Sequence, residues 1–184
     1  MQNEKADTIA KTQELSGKQK KGAAVIECFQ NIPCNPCVST CKTGAITMEA
    51  LTDLPVFHAE KCVGCKLCVA ACPGQAIFFV QDTENEMTEV TFPYEYLPYP
   101  EEGQDVMGSD RNGKPVCKAR VVHVDRRAAF NKTVLVTLLI PTKYRDEVRF
   151  LIRDSIVHTD FPDEGESIGN AAEEDVGWKR KMMF

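Results

Sequence analysis

Long hydrophobic runs are missing from this chain. Nowhere do about 18 apolar residues stand in a row, so no segment can span a bilayer as a helix. A basic excess is missing too. With 22 Lys and Arg against 27 Asp and Glu, the formal net charge is −5. That balance argues against a nucleic-acid protein, whose phosphate contacts need a basic face, and against binding to an anionic membrane surface. The first twenty residues, MQNEKADTIAKTQELSGKQK, contain neither an apolar stretch nor a twin arginine, so no export signal is read there. The expected compartment is the cytoplasm, where reducing conditions disfavour structural disulfides. Catalytic signatures are absent as well: there is no Gly-x-Gly-x-x-Gly for a dinucleotide, no phosphate loop and no Cys-x3-Cys-x2-Cys of a radical centre.

What the chain does have is cysteine, nine of them, eight between residues 23 and 80. The stretch CVGCKLCVAACPGQAI, residues 62–77, places Cys62, Cys65, Cys68 and Cys72 in the pattern Cys-x2-Cys-x2-Cys-x3-Cys-Pro. That spacing belongs to bacterial iron–sulfur proteins. Three thiolates two residues apart sit on one tight loop that wraps a cluster, with backbone N–H groups turned inward. Gly64 lets that loop approach closely. The fourth cysteine is expected to begin a helix that turns away, with Pro73 in its first turn. It then serves a second cluster rather than its own.

One such run predicts another. Upstream stands CFQNIPCNPCVSTCK, holding Cys28, Cys34, Cys37 and Cys41. The last three keep the rule, but the first gap is five residues and Lys42 stands where the proline would be. The two runs form an internal repeat at a constant offset of 31 residues: Cys34, Cys37, Val38, Cys41, Ala45 and Ile46 match Cys65, Cys68, Val69, Cys72, Ala76 and Ile77. Each copy reads as strand, cysteine loop, short helix, strand. Crossing the fourth ligands gives two sets: Cys28, Cys34, Cys37 and Cys72 for one cluster, and Cys62, Cys65, Cys68 and Cys41 for the other. If the longer gap bulges out, with Pro33 and Pro36 stiffening it, Cys28 reaches. If it does not, that site becomes a three-iron cluster on Cys34, Cys37 and Cys72.

Over about residues 23–82 the chain resembles the bacterial dicluster ferredoxin family. The resemblance implies a ferredoxin-like domain and two [4Fe–4S] clusters. The full fold is expected to be α+β: a ferredoxin-like dicluster domain with pseudo-two-fold repeat, followed by a small antiparallel β module and a helix. Residues 1–22 read as a flexible polar tail, 23–84 as the ferredoxin domain, 85–157 as the β-rich module, and 158–184 as an acidic tail laid on a partner. Within the module, KTVLVTLLIP and PVCKARVVHV are β-branched runs separated by turn residues. After Pro141, Tyr144, Val148, Leu151 and Ile152 recur at helical spacing, with Thr142 as cap.

Plainer readings compete at several residues. Zinc is the alternative for the cysteines, but paired Cys-x2-Cys hooks would leave the third and fourth thiols of each run unexplained. Cys117 reads as an inert core thiol beside Ala119 and Val121. His58 reads as a strand-end surface residue, and His123 and His158 have no partner pattern. Tyr94, Tyr96 and Tyr99, among Pro93, Pro98 and Pro100, form an aromatic turn that covers core or offers a docking surface.

All-cysteine ligation leaves no open iron for a substrate, so the expected role is electron relay and not catalysis. A free ferredoxin needs only about sixty residues of this pattern, so the surplus points to a subunit of a larger oxidoreductase. A second resemblance points the same way. CNPCVSTCKTGAI, DLPVFHAEKCVGCKLCVAACPGQAI, VTFPYEYLP, VCKARVV and KTVLVTLLIP look like the small iron–sulfur subunits of flavin-dependent amine or amino-acid dehydrogenases, of the sarcosine-oxidase, proline-dehydrogenase and hydrogen-cyanide-synthase type. That resemblance implies FAD- or FMN-bearing partner subunits in a hetero-oligomer. A free-standing ferredoxin and a zinc-bound interaction module are the alternatives.

Overall fold

The computed structural model describes residues 22–156. Those residues form two short helices, α1 (Pro36–Thr40) and α2 (Leu67–Ala71), and nine strands. The strands are β1 (Ala23–Ile26), β2 (Ile46–Thr47), β3 (Val56–Phe57), β4 (Ile77–Asp82), β5 (Met87–Tyr94), β6 (Asp105–Ser109), β7 (Pro115–Asp125), β8 (Val134–Pro141) and β9 (Phe150–Leu151). Seven of them make one sheet in the order β1-β4-β5-β8-β7-β6-β9, and β2 pairs with β3 apart from it. Every pairing is antiparallel.

The 31-residue repeat is visible in the backbone. β1, α1 and β2 form one copy, and β3, α2 and β4 the other. Glu27 N–H donates to Ala76 O at 2.8 Å, and its counterpart His58 N–H donates to Ala45 O at 2.8 Å. Past each helix the chain reverses through a left-handed residue, Gly44 (φ 66°) in the first copy and Gln75 (φ 48°) in the second. Their N–H groups bond back to Cys41 O and Cys72 O at 3.2 and 3.1 Å. A Cβ at Gly44 would meet nothing within 4 Å, so only backbone strain opposes a side chain there. Gly44→Ala is therefore expected to cost about 1 kcal/mol, read as a lower urea midpoint. Gln75→Gly, at the equivalent place, should leave that midpoint unchanged or raise it.

β1 and β4 read as unbroken apolar runs because both faces of this part of the sheet are buried. On one face Ala24, Ile26, Ile77 and Phe79 pack with Cys37, Ile46, Val69, Phe130 and Leu135 beneath the cysteine loops. On the other, Val25, Phe78 and Val80 join a second core with Val90, Phe92, Tyr94, Val121, Val136, Leu138 and Ile140. β4 pairs with β5 from Phe79↔Thr91 to Asp82↔Thr88, so hydrogen bonding runs straight across the boundary expected at 84/85. The β-rich segment thus extends the sheet of the cysteine half. Pro93 sits in β5 beyond the last residue that β4 reaches, where its missing N–H leaves no rung empty.

The helix expected after Pro141 does not form. Thr142–Tyr144 makes a single 3-10 turn, Phe150–Leu151 is β9, and Arg153–Ile156 is another 3-10 turn. The spacing of Tyr144, Val148, Leu151 and Ile152 fits a helix, but tertiary pairing overrides it. Arg149 N–H and Ile152 N–H donate to Ser109 O and Met107 O on the open side of β6, both at 2.8 Å. Phe150, off the helical stripe, packs its ring against Phe92 and Tyr94 at centroid distances of 5.0 and 5.6 Å. The tails read over 1–22 and 158–184 lie outside the described residues, except for Gly22, which is buried.

The far ends of the sheet are tied together by charge. Glu27, at the end of β1, accepts from Arg149 Nε (2.5 Å) and from Arg111 Nη1 (2.8 Å) in the β6–β7 turn. Arg149 is only 3% exposed, and its Nη1 donates to the carbonyls of Arg145 and Val148. The Phe78 ring lies 5.3 Å from both guanidinium carbons.

Candidate metal centre

Each helix carries the third cysteine of its run and ends at the fourth. Cys37 lies in α1 and Cys41 is its C-cap; Cys68 lies in α2 and Cys72 is its C-cap. This corrects the expectation that the fourth cysteine opens a helix. Pro73 follows a helix end, the other place a proline is tolerated because it cannot continue the helix. The result for the side chains is a divergence. Cys41 and Cys72 have extended backbones (ψ 92° and 109°) and leave the helical path.

Two cavities lie over the sheet face built from Ala24, Ile77 and Phe79. Cys28, Cys34, Cys37 and Cys72 line the first, together with Ile32, Met48, Asp53, Pro55 and Ile77. Cys41, Cys62, Cys65 and Cys68 line the second, together with Ile46, Phe57, Gly64, Lys66, Leu67 and Phe79. All eight cysteines singled out in the sequence fall into these two sets, and in each set one thiol comes from the other repeat. Gly64 adopts φ 71° in the loop over the second cavity.

Electrostatics follow the same division. Burial, then the charges of Cys72 and Cys34, push the Cys37 thiol up to about 11. Burial, then Cys62, Cys65 and Cys41, push Cys68 up to about 12. Cys41 moves the other way: its partial burial is outweighed by hydrogen bonds from the Thr43 hydroxyl and from the backbone of Ile46, Ala45 and Thr43. Burial also lowers the Lys66 ammonium, against the opposing pull of Glu89 and Asp125. Ala76 N–H donates to Cys72 Sγ at 3.4 Å, and Cys41 Sγ lies 3.7 Å from Thr43 Oγ1. Cys37 and Cys68, both raised, stay protonated until a cation replaces the proton, which is the linkage expected of thiolate metal sites.

Among the described residues, no group of three or more His, Cys, Asp or Glu stands where it could hold a metal ion. Each four-thiol set rings a cavity instead. A cubane places its irons at separate corners, so it suits thiolates spread wider than the ligands of one ion. The donor set is all sulfur, the walls are largely apolar, and backbone N–H groups point at the sulfurs. These residues fit a four-iron cluster in each cavity.

The remaining polar residues take plainer places. His58 Nε2 lies 3.0 Å from Thr47 Oγ1 at the β2–β3 pair, as a strand-end residue. His123 does have neighbours, Glu102 at 2.8 Å and Asp125 at 3.8 Å, and His158 lies outside the described residues. Cys117 is half-buried against the second core. Tyr94 is buried and donates to Pro98 O at 3.3 Å, with Tyr96 edge-on to it. Sequence reasoning passed over Lys66 and Asp53. Lys66 stands inside the second motif, where its position alone was a signal; Asp53 arrives from the turn before β3, and no spacing announced it.

Comparison with known proteins agrees with this geometry. Residues 32–76 match the 4Fe-4S dicluster domain family, a span that includes seven of the cysteines and begins after Cys28. The chain is 44% identical over 43 residues to an aliphatic sulfonate oxidoreductase, polyferredoxin-like subunit, of Pyrococcus furiosus, covering 23% of this chain and 25% of that protein. It is 40% identical over 43 residues to a protein NrfC homolog of Haemophilus influenzae, covering 23% and 19%. Over 89 residues it is 32% identical to a selenate reductase subunit of Mesobacillus selenatarsenatis, covering 48% and 30%. The chain thus spans less than a third of the length of these relatives. No solved structure matches it significantly. A 4Fe-4S dicluster ferredoxin domain is present, and the resemblance to dicluster ferredoxins read from the motifs holds. No helix among the described residues is long and apolar enough to cross a membrane.

Proposed function

We propose that this chain is the electron-transfer subunit of a larger, flavin-dependent oxidoreductase and holds two [4Fe–4S] clusters. Cys28, Cys34, Cys37 and Cys72 would ligate one cluster, and Cys62, Cys65, Cys68 and Cys41 the other. The observation that carries the reading is the division of eight thiols between two cavities, each completed by a cysteine from the opposite repeat. When bound, such a cluster accepts and returns single electrons. The chain's own residues hold the thiolates, keep water back with apolar walls and aim N–H donors at sulfur.

Partner binding is supported by large apolar side chains left exposed around the cysteine loops. Phe29 and Ile32 lie between Cys28 and Cys34, Leu51 accepts from Cys34 N–H at 3.3 Å, and Val56 and Val63 follow. Two relatives are named as oxidoreductase or reductase subunits, which suits a protein that is no enzyme by itself. Flavin-bearing partners and a cytoplasmic location belong to the same proposal and rest on the sequence.

Anaerobic purification from the native host tests it. The expected result is about eight irons and eight acid-labile sulfides per chain, with a flavin-containing subunit retained through size exclusion. A colourless chain holding zinc without sulfide would end the redox reading. A fully loaded chain that stays monomeric would leave a free ferredoxin in its place.

A further inference from the structure

We infer that the two cluster sites are electrostatically unequal, and that the site of Cys41, Cys62, Cys65 and Cys68 is the one on which an electron settles. The inference rests on the cluster assignment proposed above. Each site offers four thiolates and repeats the other's backbone, so identical clusters would carry the same charge. The difference lies in the remaining cavity walls. Cysteines aside, among the described residues the second cavity has one charged lining residue, Lys66, and the first has one, Asp53.

Neither charge is incidental to the geometry. Lys66 has a left-handed backbone (φ 64°) at the start of α2, and its Nζ lies 5.1 Å from the centre of the Phe79 ring, itself part of the cavity wall. Its repeat counterpart, 31 residues earlier, is the neutral Asn35. Asp53 Oδ2 accepts from Ala50 N–H at 2.8 Å, which pins the carboxylate in the turn beside the first cavity. The other charges felt by Lys66 are Glu89, Asp125 and Arg127. Asp125 and Arg127 pair with each other at 2.8 Å, and Glu89 does not line the cavity. Hydrogen bonds to sulfur favour the same site: Cys41 of the second set receives them from the Thr43 hydroxyl and from the backbone of Ile46, Ala45 and Thr43, while Ala76 N–H donates to Cys72 of the first.

Reduction adds one negative charge to a cluster. Beside an ammonium in a half-buried site that charge is stabilised; beside a carboxylate it is opposed. Net charge around a cluster is one of the settings of its potential. The second site therefore has the higher midpoint, and transfer from the first site to the second runs downhill.

Redox titration of the anaerobic full-length protein, followed by electron paramagnetic resonance, tests this directly. Two separated midpoints are expected. Lys66→Met should lower the upper midpoint and leave the lower one in place, Lys66→Arg should restore it, and Asp53→Asn should raise the lower midpoint alone. Iron analysis of each variant confirms that both clusters are retained. Coincident midpoints, or a Lys66→Met shift confined to the lower one or absent, would overturn the inference while leaving the cluster assignment standing. A protein that binds no clusters would instead defeat that assignment, and the inference with it.

Discussion

Replacing Cys72 with serine should eliminate the four-iron signal of the cluster built on Cys28, Cys34 and Cys37, and leave the other cluster intact. Cys41→Ser should do the reverse, removing the cluster built on Cys62, Cys65 and Cys68. The reason is geometric. Each of these residues caps a helix whose third cysteine faces one cavity, while its own extended backbone carries its sulfur to the other. Iron content should fall to about half in either variant, and resonance spectra should show the surviving cluster unchanged. Loss confined to the mutated residue's own motif would refute the exchange. Cys28→Ser completes the series: it should convert or destabilise the first cluster, because Cys28 lines that cavity although the family match begins after it.

Glu27→Leu should lower unfolding stability by about 3 kcal/mol, a figure typical of breaking a buried ion pair. Among the described residues, the substitution leaves the Arg149 guanidinium, nearly sealed from solvent, with only the carbonyls of Arg145 and Val148 to bond, and it releases Arg111 as well. Removing both charges should be milder. A Glu27→Leu, Arg149→Met double variant is expected to recover much of the loss, since an apolar pair of similar volume carries no stranded charge. Chemical denaturation of the cluster-loaded protein, monitored by far-ultraviolet circular dichroism, would measure both. Equal losses in the single and double variants would mean that packing around Phe78, not charge, is what the pair supplies.

The cysteine half was readable because its signal is local. Spacings of two and three residues, repeated 31 apart, constrain thiols whatever surrounds them, and all eight line one or other of the two cavities. The place of the helix relative to Cys72 was missed because a proline fits both the first turn of a helix and the residue after one. The strands β5, β7 and β8 were legible as β-branched runs; their membership of one sheet with β1 and β4 was not, because pairing partners leave no mark on a single strand. The segment after Pro141 shows the limit of periodicity. Val148 and Leu151 are buried as a helical stripe would require, yet the open edge of β6 captured the backbone. Glu27 and Asp53 were invisible for the same reason: their partners or cavities come from parts of the chain that only the fold brings near.

β4 serves two masters, with Ile77 and Phe79 under the cysteine loops and Phe78 and Val80 turned to the opposite core. Cutting the chain after residue 84 would strip the cover from Phe78, Val80 and Val25 and present an oily stripe to water. The ferredoxin half of this chain is therefore not a detachable cassette: grafting it elsewhere would require a substitute roof for that stripe.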